Sequence, residues 1–223
     1  MLGWGFSGSD LIKQPDPPNI LKPPMDIHED PIEQAAGPKN GYRKVSGNYY
    51  EFYLSGAITA PEDYVEWFNI IRNAGQNDVV KIYINSRGGD ADTAIQFMRV
   101  LGETEAHVIC SIEGSCMSAA TMVFLCAQEF EITPHSLVML HNYSGGIFGK
   151  GAEIYDQAVF ERKWSTEFMK HIYKDFLSEA EIVGLLDNKD MWMTSSEVMD
   201  RCQAMAKARA AEMQDDEDED LDE

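Results

Sequence analysis

Two β-prone runs in this chain each stop at glycine and hand over to apolar residues at helical spacing, and this handover restricts the available folds more than any other feature. Val79 to Ile84 reads as a strand, runs into Asn85-Ser86-Arg87-Gly88-Gly89-Asp90, and is followed by Ala94, Ile95, Met98 and Leu101. His107 to Ile112 reads as another strand, after which Gly114 opens a segment to Ala127 whose later residues are nearly all apolar, a pattern that predicts turn and then buried helix. Strands alternating with helices in this way imply right-handed crossovers and a largely parallel sheet.

The flanking segments extend the same alternation. Tyr49 to Leu54 is aromatic and β-prone and gives the first strand. Pro61 suits a first helical position, and Tyr64, Phe68, Ile70 and Ile71 form an apolar face that ends near Gly75. Phe130 to Ile132 and Ser136 to His141 are short strands separated by Pro134. Ala152 to Phe176 predicts a long helix, of a length that suits an arm or an interface. Asp187 to Thr194 predicts a turn and short strand, and Ser195 to Ala210 a helix. No internal repeat is visible beyond this alternation.

Composition sets the outer limits. Residues 1–45 hold seven of the nine prolines and cannot bury enough surface to order themselves, so an extended or disordered arm is expected there, with a removable propeptide as one reading and Trp4 and Phe6 as a short docking element. One folded domain is expected over 46–212, and a solvated acidic tail over 213–223. The net charge of -20 argues against a nucleic-acid partner, since a phosphate backbone needs cationic surface. Cys110, Cys116, Cys126 and Cys202 form no C-x-x-C pair and have no histidine at zinc spacing, so reduced thiols are expected and no metal or disulfide framework. Neither a basic leader nor a bilayer-length apolar run is present, so neither secretion nor a membrane partner is expected.

The chemically interesting residues are individually weak signals. Ser118 falls near the start of the predicted buried helix, where unsatisfied N–H groups favour a developing negative charge, as a nucleophile for acyl transfer requires. On this stretch alone a serine beside glycine is better explained as a helix N-cap, a role that Ser115 could fill. Gly88-Gly89 after a strand is by default a tight turn, although it also exposes bare backbone donors. His141 at a strand exit fits a core or edge histidine, and Asp190 fits a turn opener.

Taken together, four blocks resemble the proteolytic subunit of the Clp protease, a serine peptidase family with a crotonase-like fold. Tyr83-Ile84-Asn85-Ser86-Arg87-Gly88-Gly89 is similar to the family's Tyr-Ile-Asn-Ser-Pro-Gly-Gly, and Gly114-Ser115-Cys116-Met117-Ser118-Ala119 to its Gly-Gln-Ala-Ala-Ser-Met. Val138-Met139-Leu140-His141, followed by Gly145-Gly146, resembles its histidine strand and the gap to its Gly-Gly. Asp190-Met191-Trp192-Met193-Thr194-Ser195 resembles its Asp-Arg-Phe-Leu-Ser. The resemblance covers residues 49–203 and departs from the family at Arg87 for proline, Ala119 for methionine, and the bulkier Met117. Upstream of Tyr49 no match to the family's N-terminal, ATPase-engaging segment is visible.

The resemblance implies an α/β fold of repeated strand-strand-helix units with a protruding handle helix. It implies Ser118 as nucleophile, His141 as general base and Asp190 as the residue that orients it, with the N–H groups of Gly89 and Ala119 as oxyanion donors. It leaves Ser115 with the capping role. Gly88, Met117, Gly145 and Gly146 are implied to contact substrate, the last two opening a segment that pairs with polypeptide as an added strand. A cytoplasmic homo-oligomer of stacked rings is implied, without cofactor, degrading polypeptides with a Clp-type AAA+ ATPase as partner. The alternatives are a viral head-maturation protease of the same fold acting in host cytoplasm, and an inactive structural subunit of a Clp-like ring. An acyl-CoA enzyme of the crotonase type would lack the serine and histidine pair.

Overall fold

The computed structural model describes residues 47–219; the arm expected over 1–45 and the end of the acidic run, 220–223, lie outside them. A six-stranded sheet organises these residues. β1 (Tyr49–Ile58), β2 (Val79–Gly89), β3 (His107–Met117) and β5 (Leu137–Leu140) lie side by side in parallel, β4 (Glu129–Ile132) pairs with an earlier stretch of β3, and β6 (Met191–Thr194) runs antiparallel to β5. The helices are a 3-10 turn at Pro61–Tyr64, α1 (Val65–Asn73), α2 (Ala91–Glu103), α3 (Ala119–Phe124), α4 (Gly151–Tyr173), α5 (Glu179–Leu186) and α6 (Ser195–Glu219).

Strict alternation explains why β2 packs as it does. Val80, Ile82 and Ile84 are fully buried, whereas Lys81 and Tyr83 on the other face are not. The buried face meets Phe68 and Ile71 of α1 and Phe97, Val100 and Leu101 of α2, and Phe68 sets its ring edge-on to Phe97 at 4.8 Å. Each such side chain contributes about 1.5–3 kcal/mol on leaving water. Asp90 starts α2 by accepting from the Thr93 N–H at 2.8 Å. On the opposite face of β1 and β2, Tyr53 stacks on Tyr83 at 4.9 Å, and Lys81 pairs with Glu131 of β4.

The strands run further than the sequence predicts. β1 continues past Leu54 to Ile58, β2 past Ile84 to Gly89 and β3 past Ile112 to Met117. The apolar signal stops where the sheet rises above its core, but the backbone ladder goes on, pairing Ser55 with Asn85 and Ser86 with Cys116. Between Ile84 and Ser86 the β2–β3 register slips. There the Asn85 side chain stands in for a missing backbone acceptor, taking the Ser115 N–H at 3.1 Å. Gly114 makes room for it, since a Cβ there would lie 2.7 Å from Asn85 Oδ1.

This extension corrects two expectations. Gly114 does not turn the chain into a helix, and Ser115 is no cap, because it sits in β3 opposite Leu137. The position ahead of α3 is Ser118 itself, whose side chain makes no capping bond. Two further differences lie downstream. α5 went unpredicted, although Ser178 and Glu181 form a capping box at its start. α6 runs beyond Ala210 into the acidic stretch, as far as Glu219.

Candidate active site

Ser118 is the last residue before α3 and is forced into a conformation that L-residues avoid, with φ 53° and ψ -128°. Such strain costs on the order of 1–3 kcal/mol and persists only where the surroundings over-determine it. Here they do. The Ser118 N–H donates to the Met139 carbonyl at 2.8 Å, and the Ser118 carbonyl accepts from both the N–H and the hydroxyl of Thr121, at 2.9 and 2.7 Å. All six residues of α3 are buried, which anchors the helix under the turn. The result is a sharp strand-to-helix elbow that lifts one hydroxyl above the carboxyl ends of the parallel strands.

β5 brings the second group. Its register, Met117 opposite Met139, sets the residue two beyond Met139 next to the elbow, and His141 Nε2 lies 2.6 Å from Ser118 Oγ. In the tautomer that lets Nε2 accept, the serine hydroxyl donates to the ring, the arrangement a general base requires. Both residues are part-buried.

The third component is the glycine turn at the end of β2. Gly88 has φ +87°, and a Cβ on it would lie 2.6 Å from the Met117 carbonyl oxygen, 2.7 Å from Ser118 Cβ and 2.9 Å from the Ala119 nitrogen. Only glycine allows the turn this close. The Gly88 N–H is already donated to Ser86 Oγ at 3.1 Å, and the Asp90 N–H to the Ile58 carbonyl at 2.9 Å. Alternation along a parallel ladder therefore turns the Gly89 N–H away from β1, toward the elbow. Ala119, as the first residue of α3, offers a second N–H that no helical carbonyl can take.

Gly89, Ser118, Ala119 and His141 share a cavity of about 80 Å³. Met122 and, from the C-terminal half of α4, Trp164, Phe168, Met169 and Tyr173 make its apolar wall, and Tyr143 and Ser144 its rim. A hydroxyl beside an imidazole, backbone N–H groups close to the elbow and an adjoining apolar recess are the kind of arrangement that acyl transfer from a peptide uses. The thiols do not compete for that role. Burial raises Cys126 and Cys202 to about 12 and Cys110 and Cys116 well above the usual range. Among the described residues no group of three His, Cys, Asp or Glu could hold a metal ion, and no helix is long and apolar enough to cross a membrane.

The Clp protease family model matches residues 60–201, which takes in the glycine turn, the elbow, His141 and Asp190. The chain belongs to the Clp protease family. Among curated relatives, the ATP-dependent Clp protease proteolytic subunit 2 of Treponema denticola is 25% identical over 154 residues, 67% of this chain and 77% of that protein. The ATP-dependent Clp protease proteolytic subunits of Bacteroides thetaiotaomicron and Bacteroides fragilis are 27% and 26% identical over 120 residues, or 53% of this chain. The chain spans 54% and 58% of those two proteins. A solved ClpP1 mutant from Listeria monocytogenes aligns with a TM-score of 0.58 at 20% identity, covering 68% of this chain and 86% of that one. This likeness establishes the Clp-protease fold.

Within this Clp framework the other sequence-derived site residues divide. Asp190 directly precedes β6, and the pairing of Leu140 with Met191 would, continued by one residue, set Asp190 opposite His141. Its side chain is exposed and makes no hydrogen bond to the imidazole. Met117 is buried against the sheet, opposite Met139, and does not line the cavity. Gly145 and Gly146 are exposed and lie beyond the cavity rim, Gly145 lining a separate polar hollow with Asn142, Arg162 and Asp187. The cavity wall was missed from sequence. Trp164 and Phe168 lie within the long helix that the sequence predicts over 152–176, and no local signal turns them toward Ser118.

Proposed function

We propose that this chain is a serine endopeptidase in which Ser118 attacks the scissile carbonyl, His141 accepts its proton and returns it to the leaving amine, and Asp190 orients the imidazole. The observation that carries the reading is the 2.6 Å contact between His141 Nε2 and Ser118 Oγ on a strained elbow. The Gly89 and Ala119 N–H groups hold the oxyanion, a role supported by the close approach of Gly88 to the elbow. Gly88 is in this reading a spacer rather than a substrate contact. Gly145 and Gly146 open the segment along which extended polypeptide pairs, and Asp190 closes on His141 through the register it already shares with β5. Met117 acts on substrate only through the elbow it precedes.

Assembly belongs to the same proposal. Tyr155, Val159 and Phe160 leave α4 heavily exposed, at 70%, 53% and 67%, which supports a handle-mediated homo-oligomer of stacked rings in the cytoplasm, fed by a Clp-type ATPase. The one-domain organisation over 46–212, with an N-terminal arm and an acidic tail, is part of this proposal as well. The test is fluorophosphonate labelling followed by mass spectrometry. A single adduct on Ser118 is expected, lost in Ser118→Ala and His141→Ala; a folded protein that takes no label defeats the peptidase reading. Native mass tests the ring, and a stable monomer contradicts it. Turnover of a folded substrate with a Clp-type ATPase, compared with cleavage of capsid scaffold, separates general degradation from head maturation.

A further inference from the structure

The hydrogen bonds beneath the elbow end in a residue with no assigned task. Thr121 gives its one hydroxyl proton to the Ser118 carbonyl at 2.7 Å, so the contact of 2.9 Å between Thr121 Oγ1 and Tyr173 Oη has the tyrosine as donor. Both side chains are buried, Thr121 at 2% and Tyr173 at 1% exposure. Burial raises the Tyr173 hydroxyl to about 12, so it stays protonated and keeps donating across the working range of a peptidase. The order is therefore Tyr173 O–H to Thr121 O–H to Ser118 C=O.

That carbonyl matters because a peptide group is planar. The Ser118 C=O and the Ala119 N–H belong to one rigid unit and point in opposite directions, so whatever fixes the carbonyl fixes the donor. The elbow is strained, and a strained peptide plane relaxes by rotation unless both sides hold it. The Met139 carbonyl holds the amide ahead of Ser118, and Thr121 holds the plane after it. Tyr173 is the last residue of α4, and its ring also lines the cavity beside Ser118.

We propose that Thr121 and Tyr173 are positioning residues that aim the Ala119 N–H at the oxyanion by locking the Ser118–Ala119 peptide plane, so that the C-terminal end of α4 sets acylation competence. The inference rests on Ser118 being the nucleophile. It assigns the pair an effect on the barrier rather than on binding, since both hydroxyls are spent on the hydrogen-bond chain that ends at the Ser118 carbonyl. Loss of either hydroxyl leaves the donor present but loosely aimed, which falls short of deleting it; deletion costs on the order of a hundredfold to a thousandfold in turnover.

The experiment uses the full chain with Tyr173→Phe, Thr121→Val and Thr121→Ser, scored by fluorophosphonate labelling rate, by kcat and KM on a fluorogenic peptide, and by the melting curve. Tyr173→Phe and Thr121→Val are each expected to lower kcat and labelling by roughly ten- to a hundredfold with KM within about twofold. The double variant should be no slower than the slower single one, and Thr121→Ser should recover most of the rate. The shape of the pH–rate profile should match the parent's. A folded Tyr173→Phe protein that labels within about twofold of the parent overturns the proposal, as does a loss carried wholly in KM. Should Tyr173→Phe not fold, the contrast of Thr121→Val with Thr121→Ser decides by the same criteria. A parent chain that takes no label on Ser118 instead removes the peptidase reading itself.

Discussion

Replacing Gly88 with alanine tests the geometry of the site most directly, because the structure supplies its own control. Gly88 and Gly56 both have positive φ, +87° and +80°, so either alanine substitution carries about 1–2 kcal/mol of left-handed strain. For a chain of this size that lowers Tm by about 2–8 °C. Nothing lies within 4 Å of a Cβ at Gly56, whereas at Gly88 the Met117 oxygen, Ser118 Cβ and the Ala119 nitrogen all lie within 2.9 Å. Relief to ordinary contact at 3.4 Å moves the turn by roughly 0.8 Å from the elbow, and with it the Gly89 N–H. A displacement of about 1 Å in a catalytic group costs on the order of a hundredfold, or roughly 2.7 kcal/mol of barrier. Gly56→Ala should therefore melt early and turn over normally, and Gly88→Ala should melt early and lose about two orders of magnitude in kcat. The assay is initial-rate cleavage of a fluorogenic peptide alongside a melting curve for each variant. If Gly88→Ala keeps kcat within about threefold of Gly56→Ala, the turn does not supply the oxyanion donor.

Three other outcomes are expected. Asp190→Asn should lower kcat by about a hundredfold to ten-thousandfold without changing the fold by circular dichroism, and an unchanged kcat would mean that His141 works without a carboxylate. The Arg201 guanidinium that forks onto Glu181 holds that carboxyl at about 2, against an ordinary 4.5. The folded state thus releases this proton more readily than the unfolded one, and the stabilisation is complete above about pH 4.5 and lost as pH falls toward 2. With both side chains about 30% exposed, screening leaves the pair worth roughly 1–2 kcal/mol. Urea unfolding should show Glu181→Gln weaker than the parent at pH 7 and equal to it near pH 2, and a gap that persists in acid would refute the assignment. Asn85→Ala should cost about 1 kcal/mol by leaving the Ser115 N–H without its acceptor, while Asn85→Asp, which keeps an acceptor oxygen, should melt closer to the parent.

The sequence carried the parts of this molecule that repeat with a period and lost those that depend on packing at a distance. Val80, Ile82 and Ile84 announce a strand because every second residue is apolar, but Asn85, Ser86 and Arg87 continue the same strand above the core, where apolarity is no longer demanded. For the same reason Gly114 and Ser115 resembled a turn and a cap although they lie in β3. Ser118 and His141 were each weak signals that only the resemblance of four blocks to the family singled out, and it is the ladder between β3 and β5 that sets them 2.6 Å apart. Tyr173 gave no signal. It meets Thr121 across 52 residues of chain, and neither residue type at that separation implies the other. Asp190 is intermediate, since its position follows from the β5–β6 register while its side chain points to solvent.

The slipped rung between β2 and β3 divides the molecule functionally. Below Ile84 and Ile112 the strands are bound by regular backbone pairing beneath fully buried apolar side chains. Above the slip, the β2–β3 backbone pairing thins to the Ser86–Cys116 rung, and the Asn85 side chain together with the Asp90–Ile58 bond holds Asn85–Asp90 in place. Arg87, at the position where the resembling family motif has proline, falls in this upper stretch, and its side chain is exposed. A change at such an exposed position leaves the lower sheet untouched, so the turn can vary in side chain wherever its backbone path is kept.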